Sequence, residues 1–117
     1  GKCNNVHGEG YTLTVILSKD KLNKNDMVLD FSHVKKEIKE WIDKNWDYTY
    51  LFAKGDKVGS YLKRNKFKVY EFSQNPTAEV IAKTFYFVMK NKLPIIAVAV
   101  QKSFEDSTAI FSEGDYY

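Results

Sequence analysis

The feature that most constrains the fold is an uninterrupted apolar run, IIAVAV at 95–100, which directly follows Pro94. Alternate side chains of a strand point to opposite faces, so a run without a polar position needs cover on both faces. The run therefore predicts a central strand of a sheet, and Pro94 predicts that a preceding helix has already ended. A sheet built around such a strand also leaves edges that must be paired or covered.

Three further strands are predicted from weaker patterns. The segment YTLTVIL at 11–17 is rich in β-branched and aromatic residues, and its alternation predicts at least one buried face. KFKVYEF at 66–72 predicts a second strand. AIFS at 109–112 predicts a final strand that can form a hairpin with the central one.

Two stretches are predicted to lack regular structure. The polar segment at 19–26 contains two asparagines, which favour turns, and it predicts a loop or a hairpin tip. Residues 46–65 are predicted to be irregular, because Gly55 and Gly59 interrupt them. Neither stretch has the composition of a domain linker, so the whole chain, 1–117, is predicted to form a single domain.

The first helix is predicted over 32–45, because apolar residues recur there at helical spacing and charged residues occupy the opposite face. Asp30 or Ser32 can cap its start, since a short side-chain oxygen accepts a hydrogen bond from a free backbone amide. His33 lies in the first turn, off the apolar stripe, and is predicted to be exposed rather than to bind a metal. The stripe consists of Phe31, Val34, Ile38, Trp41 and Ile42.

The second helix is predicted after the sequence SQNPTAEV. Asn75 or Thr77 can cap it, and Pro76 suits the first helical position, where its missing N–H would have no partner in any case. Both helices are followed by strands, so the fold class is α+β. The buried face of this helix is predicted to consist of Val80, Ile81, Phe85, Val88 and Met89.

Charge and cysteine content argue against several classes of protein. The net charge is only +3 and the basic residues are scattered, whereas nucleic-acid binding needs them clustered on one surface. A single cysteine allows no internal disulfide, which favours a reducing compartment. No apolar run approaches the roughly 20 residues that span a bilayer, and the start of the chain lacks a signal-peptide pattern. These features predict a soluble cytoplasmic protein without a nucleic-acid or membrane partner.

The opening stretch, GKCNNVHGEGYTL, places a cysteine, a histidine and a carboxylate within seven residues. Residues two apart in a strand project to the same face, so His7 and Glu9 could bind one zinc ion together. Catalytic zinc normally needs three protein ligands, and a polar strand start with a surface carboxylate explains the same residues. Cys3 alone is more often an inert buried thiol than a nucleophile. The residues by themselves leave these alternatives open.

Five motifs follow one another along the chain, and they are CNNVHGEGY at 3–11, MVLDFSHVKKEI at 27–38, WDYTYL at 46–51, NPTAEVIAK at 75–83 and VAVQKSFEDSTAIF at 98–111. Together they resemble the 6-pyruvoyl-tetrahydropterin synthase and 6-carboxy-tetrahydropterin synthase family. The first is similar to that family's Cys-x-x-x-His-Gly-His-x-Tyr signature and the third to its Leu-Asp-His-x-x-Leu. The fourth is similar to its Pro-Thr-x-Glu-Asn-(Ile/Val)-Ala helix start. These matches cover essentially the whole chain.

The resemblance implies the tunnelling fold, or T-fold, which is an antiparallel sheet with two helices packed on one face. It also implies subunits joined edge to edge into a β-barrel oligomer, either a trimer or a hexamer of stacked trimers. Family members use zinc in lyase chemistry on the side chain of 7,8-dihydroneopterin triphosphate, so the resemblance implies a pterin partner and a zinc cofactor. The family's first strand and one further zinc histidine would precede residue 1.

Carried over position by position, the resemblance implies an incomplete site. Cys3 matches the catalytic cysteine, and Asp47 matches the aspartate of a catalytic pair whose histidine is replaced here by Tyr48. His7 matches one zinc histidine and Glu9 stands where another is expected. A carboxylate is an accepted zinc ligand, but two ligands predict a weak site. The residues expected beside the pterin are Thr77, Glu79 and, a few positions out of register, Glu105.

This mixture of matched and altered positions leaves two main hypotheses. The first is a zinc-assisted lyase that acts on a dihydropterin. The second is a catalytically degenerate relative that keeps the fold for pterin binding or assembly, because the phenol of Tyr48 is a poor substitute for an imidazole near neutral pH. A third is a domain that acts within or beside a larger protein.

Overall fold

Two small sheets and three helices make up the described part of the chain, which in this computed structural model comprises residues 10–18, 31–103 and 105–114. Strands β1, β4 and β5 form an antiparallel sheet with β4 in the middle, and β2 and β3 form a parallel pair. The α+β class is therefore confirmed. In chain order the elements are β1 (Tyr11–Leu17), α1 (Phe31–Asn45), β2 (Tyr50–Ala53), α2 (Lys57–Arg64), β3 (Val69–Phe72), α3 (Ala78–Met89), β4 (Ile95–Lys102) and β5 (Thr108–Ser112).

Strand β4 is the centre of the larger sheet, as its apolar run predicted. Val98 lies opposite Val15 of β1 and Phe111 of β5, so it has a strand on each side. Val98 and Val100 are both 0% exposed, which shows that the strand is also covered by packing. The predicted hairpin between β4 and β5 is confirmed. Among the described strands, β1 and β5 each pair only with β4, so they form the two edges of this sheet.

Helix α3 covers this sheet and supplies much of the core. Thr77 is its N-cap, and the Thr77 hydroxyl oxygen accepts a hydrogen bond from the Val80 amide at 3.2 Å. Thr77 is therefore the cap, and the alternative cap, Asn75, is not used. Pro76 precedes the cap, so its predicted position as the first helical residue is wrong. The buried residues of α3 are Ile81, Ala82, Phe85, Tyr86 and Met89.

Helix α1 begins at Phe31, one residue before its predicted start, and packs its apolar stripe on the same core. Val34 is 3% exposed, whereas Phe31 is 62% exposed and contributes little to the buried face. At 15 residues, α1 is the longest of the described helices. Within the described ranges, no helix combines the length and the apolar character needed to cross a membrane. The partly buried residues of the stripe are Ile38, Trp41 and Ile42.

An aromatic cluster joins the end of α1 to α3 and β3. Trp41 and Trp46 meet edge to face, with ring centroids 4.7 Å apart. Both rings contact Phe85 of α3, at centroid distances of 5.6 and 5.7 Å, and Tyr70 of β3, at 6.1 and 5.7 Å. Aromatic pairs of this kind add roughly 0.5–1.5 kcal/mol each beyond the area they bury. The cluster therefore anchors the residues that leave α1.

The segment 46–65 contains β2 and α2, so the prediction that it is irregular is wrong. The strand has four residues and the helix eight, which is too short for either periodicity to stand out. Asp56 caps α2 by accepting a hydrogen bond from the Gly59 amide at 2.8 Å. Gly55 does mark a turn, with φ of 97°, a conformation that glycine adopts without steric cost. Strand β3 is also shorter than the strand predicted over 66–72.

Gly59 is a packing position inside α2 rather than a break. A Cβ atom at this position would overlap the side chain of Phe52, which is 2% exposed in β2. Glycine therefore allows α2 to lie close against the β2–β3 pair. The predicted arrangement of an antiparallel sheet with two helices is corrected accordingly. The described chain has a third helix, α2, and a separate parallel pair of strands.

Candidate functional site

A large open cleft of about 1170 Å³ lies among four parts of the chain. Its walls come from the start of β1, the segment 46–51, the start of α3 and the connection between β4 and β5. Small-molecule sites are typically concave spaces of several hundred cubic ångströms or more, so this cleft is large enough for a ligand of that class. Its apolar lining includes Leu13, Ile42, Trp46, Leu51, Ile81 and Val100.

The cleft brings together five of the eight residues that were predicted to form a site. They come from three separate stretches of sequence, and only the fold places them around one space. The other three, Cys3, His7 and Glu9, lie outside the described residues. Gly10 and Tyr11, which directly follow those three in the sequence, both line the cleft. The five that converge are Asp47, Tyr48, Thr77, Glu79 and Glu105.

The segment from Trp46 to Thr49 forms the turn that leaves α1. The Ile42 carbonyl accepts hydrogen bonds from the amides of both Trp46 and Asp47, each at 2.8 Å. The Asp47 carbonyl accepts a hydrogen bond from the Thr49 hydroxyl at 2.9 Å. Tyr48 has φ of 50°, a left-handed conformation that costs a residue other than glycine roughly 1–3 kcal/mol. The surrounding hydrogen bonds must therefore hold this turn in place.

The predicted catalytic pair is not a hydrogen-bonded unit. Tyr48 is 96% exposed, and its phenol makes no hydrogen bond to any other described residue. Asp47 is also exposed at the cleft. A proton relay needs its groups within hydrogen-bond reach of each other or of a bridging water. Asp47 and Tyr48 thus give the cleft a carboxylate and a phenol, but no direct relay between them.

Two tyrosines beside this turn keep their protons. Tyr50 is one of the residues that line the cleft, and its phenol donates a hydrogen bond to Asp56 Oδ2 at 3.3 Å. Burial raises the pKa of Tyr50 above its usual value, and the neighbouring Asp56 carboxylate raises that pKa further. Burial alone raises the pKa of Tyr70. Both phenols are therefore hydrogen-bond donors rather than bases near neutral pH.

The start of α3 presents Thr77 and Glu79 to the cleft. The Thr77 hydroxyl oxygen accepts a hydrogen bond from the Val80 amide, and its own proton can still be donated to a ligand. Glu79 is an exposed residue in the first turn of the helix, where the positive end of the helix dipole favours a carboxylate. The two side chains offer a ligand one donor and one anionic acceptor.

Glu105 lies on the connection between β4 and β5, at the rim of the cleft. Its backbone carbonyl accepts a hydrogen bond from the Gln101 side-chain amide at 2.7 Å, and its amide donates to the Lys102 carbonyl at 3.1 Å. The Ser103 amide donates to the Gly10 carbonyl at 2.8 Å, which ties this connection to the start of β1. These bonds hold the backbone and leave Glu105 exposed in the cleft lining.

The described residues do not form a zinc site by themselves. No three histidine, cysteine, aspartate or glutamate side chains in this part of the chain are grouped so that they could hold a metal ion. His33 is exposed, as predicted, and its Nε2 atom lies 3.9 Å from Glu37 Oε1 without a third ligand. His7 and Glu9 remain predicted ligands, because they lie outside the described residues.

Sequence reasoning missed Lys68, which contacts the turn that leaves α1. The Nζ atom of Lys68 donates hydrogen bonds to the carbonyls of Asp43 and Asp47, both at 2.6 Å. These partners lie 25 and 21 positions away in the sequence, so no local pattern indicates the contact. Within the strand predicted over 66–72, Lys68 looks like an ordinary surface residue.

Known proteins that are similar to this chain are named as tetrahydropterin synthases. A family model described as 6-pyruvoyl tetrahydropterin synthase matches residues 1–113. A 6-carboxy-5,6,7,8-tetrahydropterin synthase of Aquifex aeolicus (strain VF5) is 36% identical over 97 residues, which cover 79% of this chain and 59% of that protein. The protein of the same name from Rickettsia felis is 37% identical over 83 residues, covering 69% of this chain and 60% of that protein. The one from Bacillus subtilis (strain 168) is 32% identical over 91 residues, covering 74% and 49%.

The family model extends from residue 1 to residue 113, so it includes the three stretches that bring predicted site residues to the cleft. The chain spans about six tenths of the length of the Aquifex and Rickettsia relatives. The resemblance predicted from the motifs is confirmed. The chain belongs to the 6-pyruvoyl tetrahydropterin synthase family.

Proposed function

We propose that the chain forms one T-fold domain over 1–117, binds a dihydropterin in the cleft, and acts on the side chain of that pterin as a lyase. The observation that carries this proposal is the convergence of five predicted site residues, from three distant stretches of sequence, on one cleft. The α+β fold with an antiparallel sheet supports the T-fold assignment. The names of the relatives support a pterin as the ligand.

The cleft offers the groups that a pterin ring needs. A pterin carries N–H donors side by side on one edge of its ring, and a carboxylate can accept two such hydrogen bonds at once. Glu105 is assigned this role at the rim, while Thr77 and Glu79 contact the ligand from the start of α3. Tyr11 and Trp46 add aromatic surface to the lining, which suits a flat heterocycle.

The chemical step is assigned to Cys3, Asp47 and Tyr48. The thiolate of Cys3 removes a proton from the pterin side chain, and the carboxylate and phenol at the cleft assist its transfer. Zinc held by His7 and Glu9 would, when bound, polarise the oxygens of that side chain and make the adjacent protons more acidic. The positions of Asp47 and Tyr48 in the cleft lining support this assignment, and the remaining roles rest on the family resemblance.

A second candidate function is pterin binding without turnover. The observation that favours it is Tyr48, which replaces an imidazole, is 96% exposed and is not hydrogen-bonded to a described residue. A cysteine without a basic neighbour is only a few per cent thiolate at neutral pH, so proton transfer would be slow. In this case the protein holds the pterin but supplies no efficient base.

We also propose that subunits assemble edge to edge, as a trimer or as stacked trimers. Among the described strands β5 pairs only with β4, so its other edge is open. A groove of about 630 Å³ lies beside that edge and is lined by Phe87 and Ile110, which are 44% and 55% exposed. Open edges next to apolar side chains are normally covered in stable proteins. A second copy of the chain supplies that cover in the proposed assembly.

Equilibrium dialysis with 7,8-dihydroneopterin triphosphate tests the binding site. Glu105→Gln is expected to weaken binding roughly tenfold to hundredfold, because ligand donors lose their anionic acceptor. Asp106→Asn is the matched control, since this neighbouring acid does not line the cleft. Failure of the wild-type protein to bind, or an equal loss in both variants, would contradict the proposed site.

Chromatography of the pterin products separates the two candidate functions. We expect slow turnover by the wild-type protein, with a gain in Tyr48→His, because a positioned general base contributes roughly 10²–10⁴-fold. Robust wild-type turnover that disappears in Cys3→Ala would favour the lyase and reject the degenerate alternative. Binding without turnover in either protein would favour the binding role.

A further inference from the structure

The turn that carries Asp47 and Tyr48 is held by a side chain from a different part of the fold. Lys68 precedes β3, and its Nζ atom donates to the carbonyls of Asp43 and Asp47, both at 2.6 Å. We infer that Lys68 is a positioning residue, which holds this turn so that Asp47 and Tyr48 stand at the cleft. Its effect on turnover rests on the proposed function, whereas its effect on the turn does not.

The end of α1 explains why the lysine is needed. The last carbonyls of a helix have no helical partners. In a regular helix the Asp47 amide would donate to the Asp43 carbonyl, but here it donates to the Ile42 carbonyl at 2.8 Å. The Asp43 carbonyl therefore has no helical amide as a partner, and Lys68 binds it. The ammonium also lies at the negative end of the α1 dipole, where a positive charge is favourable.

Lys68 holds both ends of the segment 47–50, which lines the cleft. Its Nζ atom binds the Asp47 carbonyl, and its backbone carbonyl accepts a hydrogen bond from the Tyr50 amide at 3.2 Å. Between these two points lie Tyr48, with its unfavourable φ of 50°, and Thr49, whose hydroxyl shares the Asp47 carbonyl. One residue thus fixes a four-residue segment at each end and offsets the strain within it.

Lys68 acts through this segment and not on the ligand, because it is not among the residues that line the cleft. The residues assigned to hold the pterin, Thr77 and Glu105, lie on other elements and do not depend on it. Loss of the lysine should therefore affect the chemical step more than binding. A displacement of about 1 Å at reacting groups can lower a rate roughly a hundredfold.

The test compares three substitutions. Lys68→Met keeps most of the stem but removes the donors, and kcat should fall by about tenfold or more while KM stays within about twofold. The amides of Trp46 and Asp47 should exchange with solvent about tenfold faster, because a charge-assisted bond that restrains them is lost. Lys68→Arg should restore both, since a guanidinium can donate to two carbonyls. Lys44→Met removes a charge from the last turn of α1 and should change neither kcat nor the exchange of these amides.

Hydrogen exchange is measured by NMR on the free protein. It therefore tests whether Lys68 holds the turn even where the lyase proposal fails. Unchanged exchange at Trp46 and Asp47 in Lys68→Met would overturn the inference, as would equal acceleration in Lys44→Met. Accelerated exchange with unchanged kcat would show that Lys68 holds the turn but would overturn its role as a positioning residue. Without any wild-type turnover the lyase proposal fails, and exchange alone decides whether Lys68 holds the turn. If Lys68→Met does not fold, Lys68→Gln should give intermediate exchange, because its shorter amide can reach only one carbonyl.

Discussion

Replacing Gly59 with alanine sets two effects against each other, and the packing of α2 on β2 decides between them. Alanine is the better helix former by roughly 0.8–1.0 kcal/mol, which favours the substitution. The added methyl group would overlap Phe52, and the three nearest atoms to it all belong to that side chain. Phe52 is 2% exposed, so it has no solvent-filled space into which it could move.

Overpacking outweighs propensity at this position. Inserting a methyl group into a well-packed site typically costs about 1–3 kcal/mol, and a clash with a buried ring lies at the upper end of that range. After the gain in helix propensity, the net loss in the free energy of unfolding is about 2 kcal/mol. For a domain of this size that loss corresponds to a fall in Tm of roughly 6–10 °C. Pterin binding should weaken as well, because β2 carries Tyr50 and Leu51 into the cleft wall.

Urea unfolding followed by tryptophan fluorescence measures this loss. Ser60→Ala, at the next position of the same helix, changes propensity without the clash and should alter stability by less than about 0.5 kcal/mol. Phe52→Leu in the Gly59→Ala background should recover part of the loss, with a coupling energy of about 0.5–3 kcal/mol. A Gly59→Ala protein as stable as the wild type, or more stable, would refute the argument that packing decides this position.

Three other outcomes are expected. Any bound zinc should be lost in His7→Ala when purified protein is measured by emission spectrometry, and full occupancy in that variant would place the metal elsewhere. Ile110→Lys should shift the mass measured by light scattering from that of an oligomer towards that of a monomer. The control Tyr61→Lys, at an exposed site on α2, should leave the mass unchanged. A wild-type protein that is a stable monomer at micromolar concentration would contradict the assembly. The raised pKa of Tyr70 means that the unfolded chain releases this proton first, so stability should fall as the pH rises above about 10. Urea midpoints between about pH 8 and 11 should show a smaller fall in Tyr70→Phe, and an equal fall in Tyr70→Phe and wild type would contradict this cause.

The longer elements of the fold could be predicted because each shows its pattern within its own sequence. The apolar run of β4 and the helical stripes of α1 and α3 need no knowledge of their neighbours. Strand β2 and helix α2 could not be predicted in this way, since four and eight residues show too little periodicity. Gly59 looked like a break because its role depends on Phe52, and only the folded chain brings the two together.

The candidate site was likewise predictable in part. The motifs indicated Asp47, Thr77 and Glu79, and the fold places all three on one cleft. The support of that cleft could not be predicted, because Lys68 contacts carbonyl groups that any residue possesses. Every residue has a backbone carbonyl, so a side chain that binds only to such groups cannot be recognised from residue types. Contacts of this kind become visible only when the end of α1 and the start of β3 lie side by side.

The pairing of β1 with β4 has a consequence for the order in which the protein is made. Tyr11 pairs with Lys102, so the first described strand of the larger sheet meets its partner across most of the length of the chain. At roughly 5–20 residues per second, a ribosome releases β1 several seconds before β4. During that interval the backbone groups and apolar side chains of β1 have no partner in this sheet, which is the condition under which strands associate with other chains. The β2–α2–β3 unit and the β4–β5 hairpin form from neighbouring residues, so closure of β1 onto β4 is expected to be the slow step of folding.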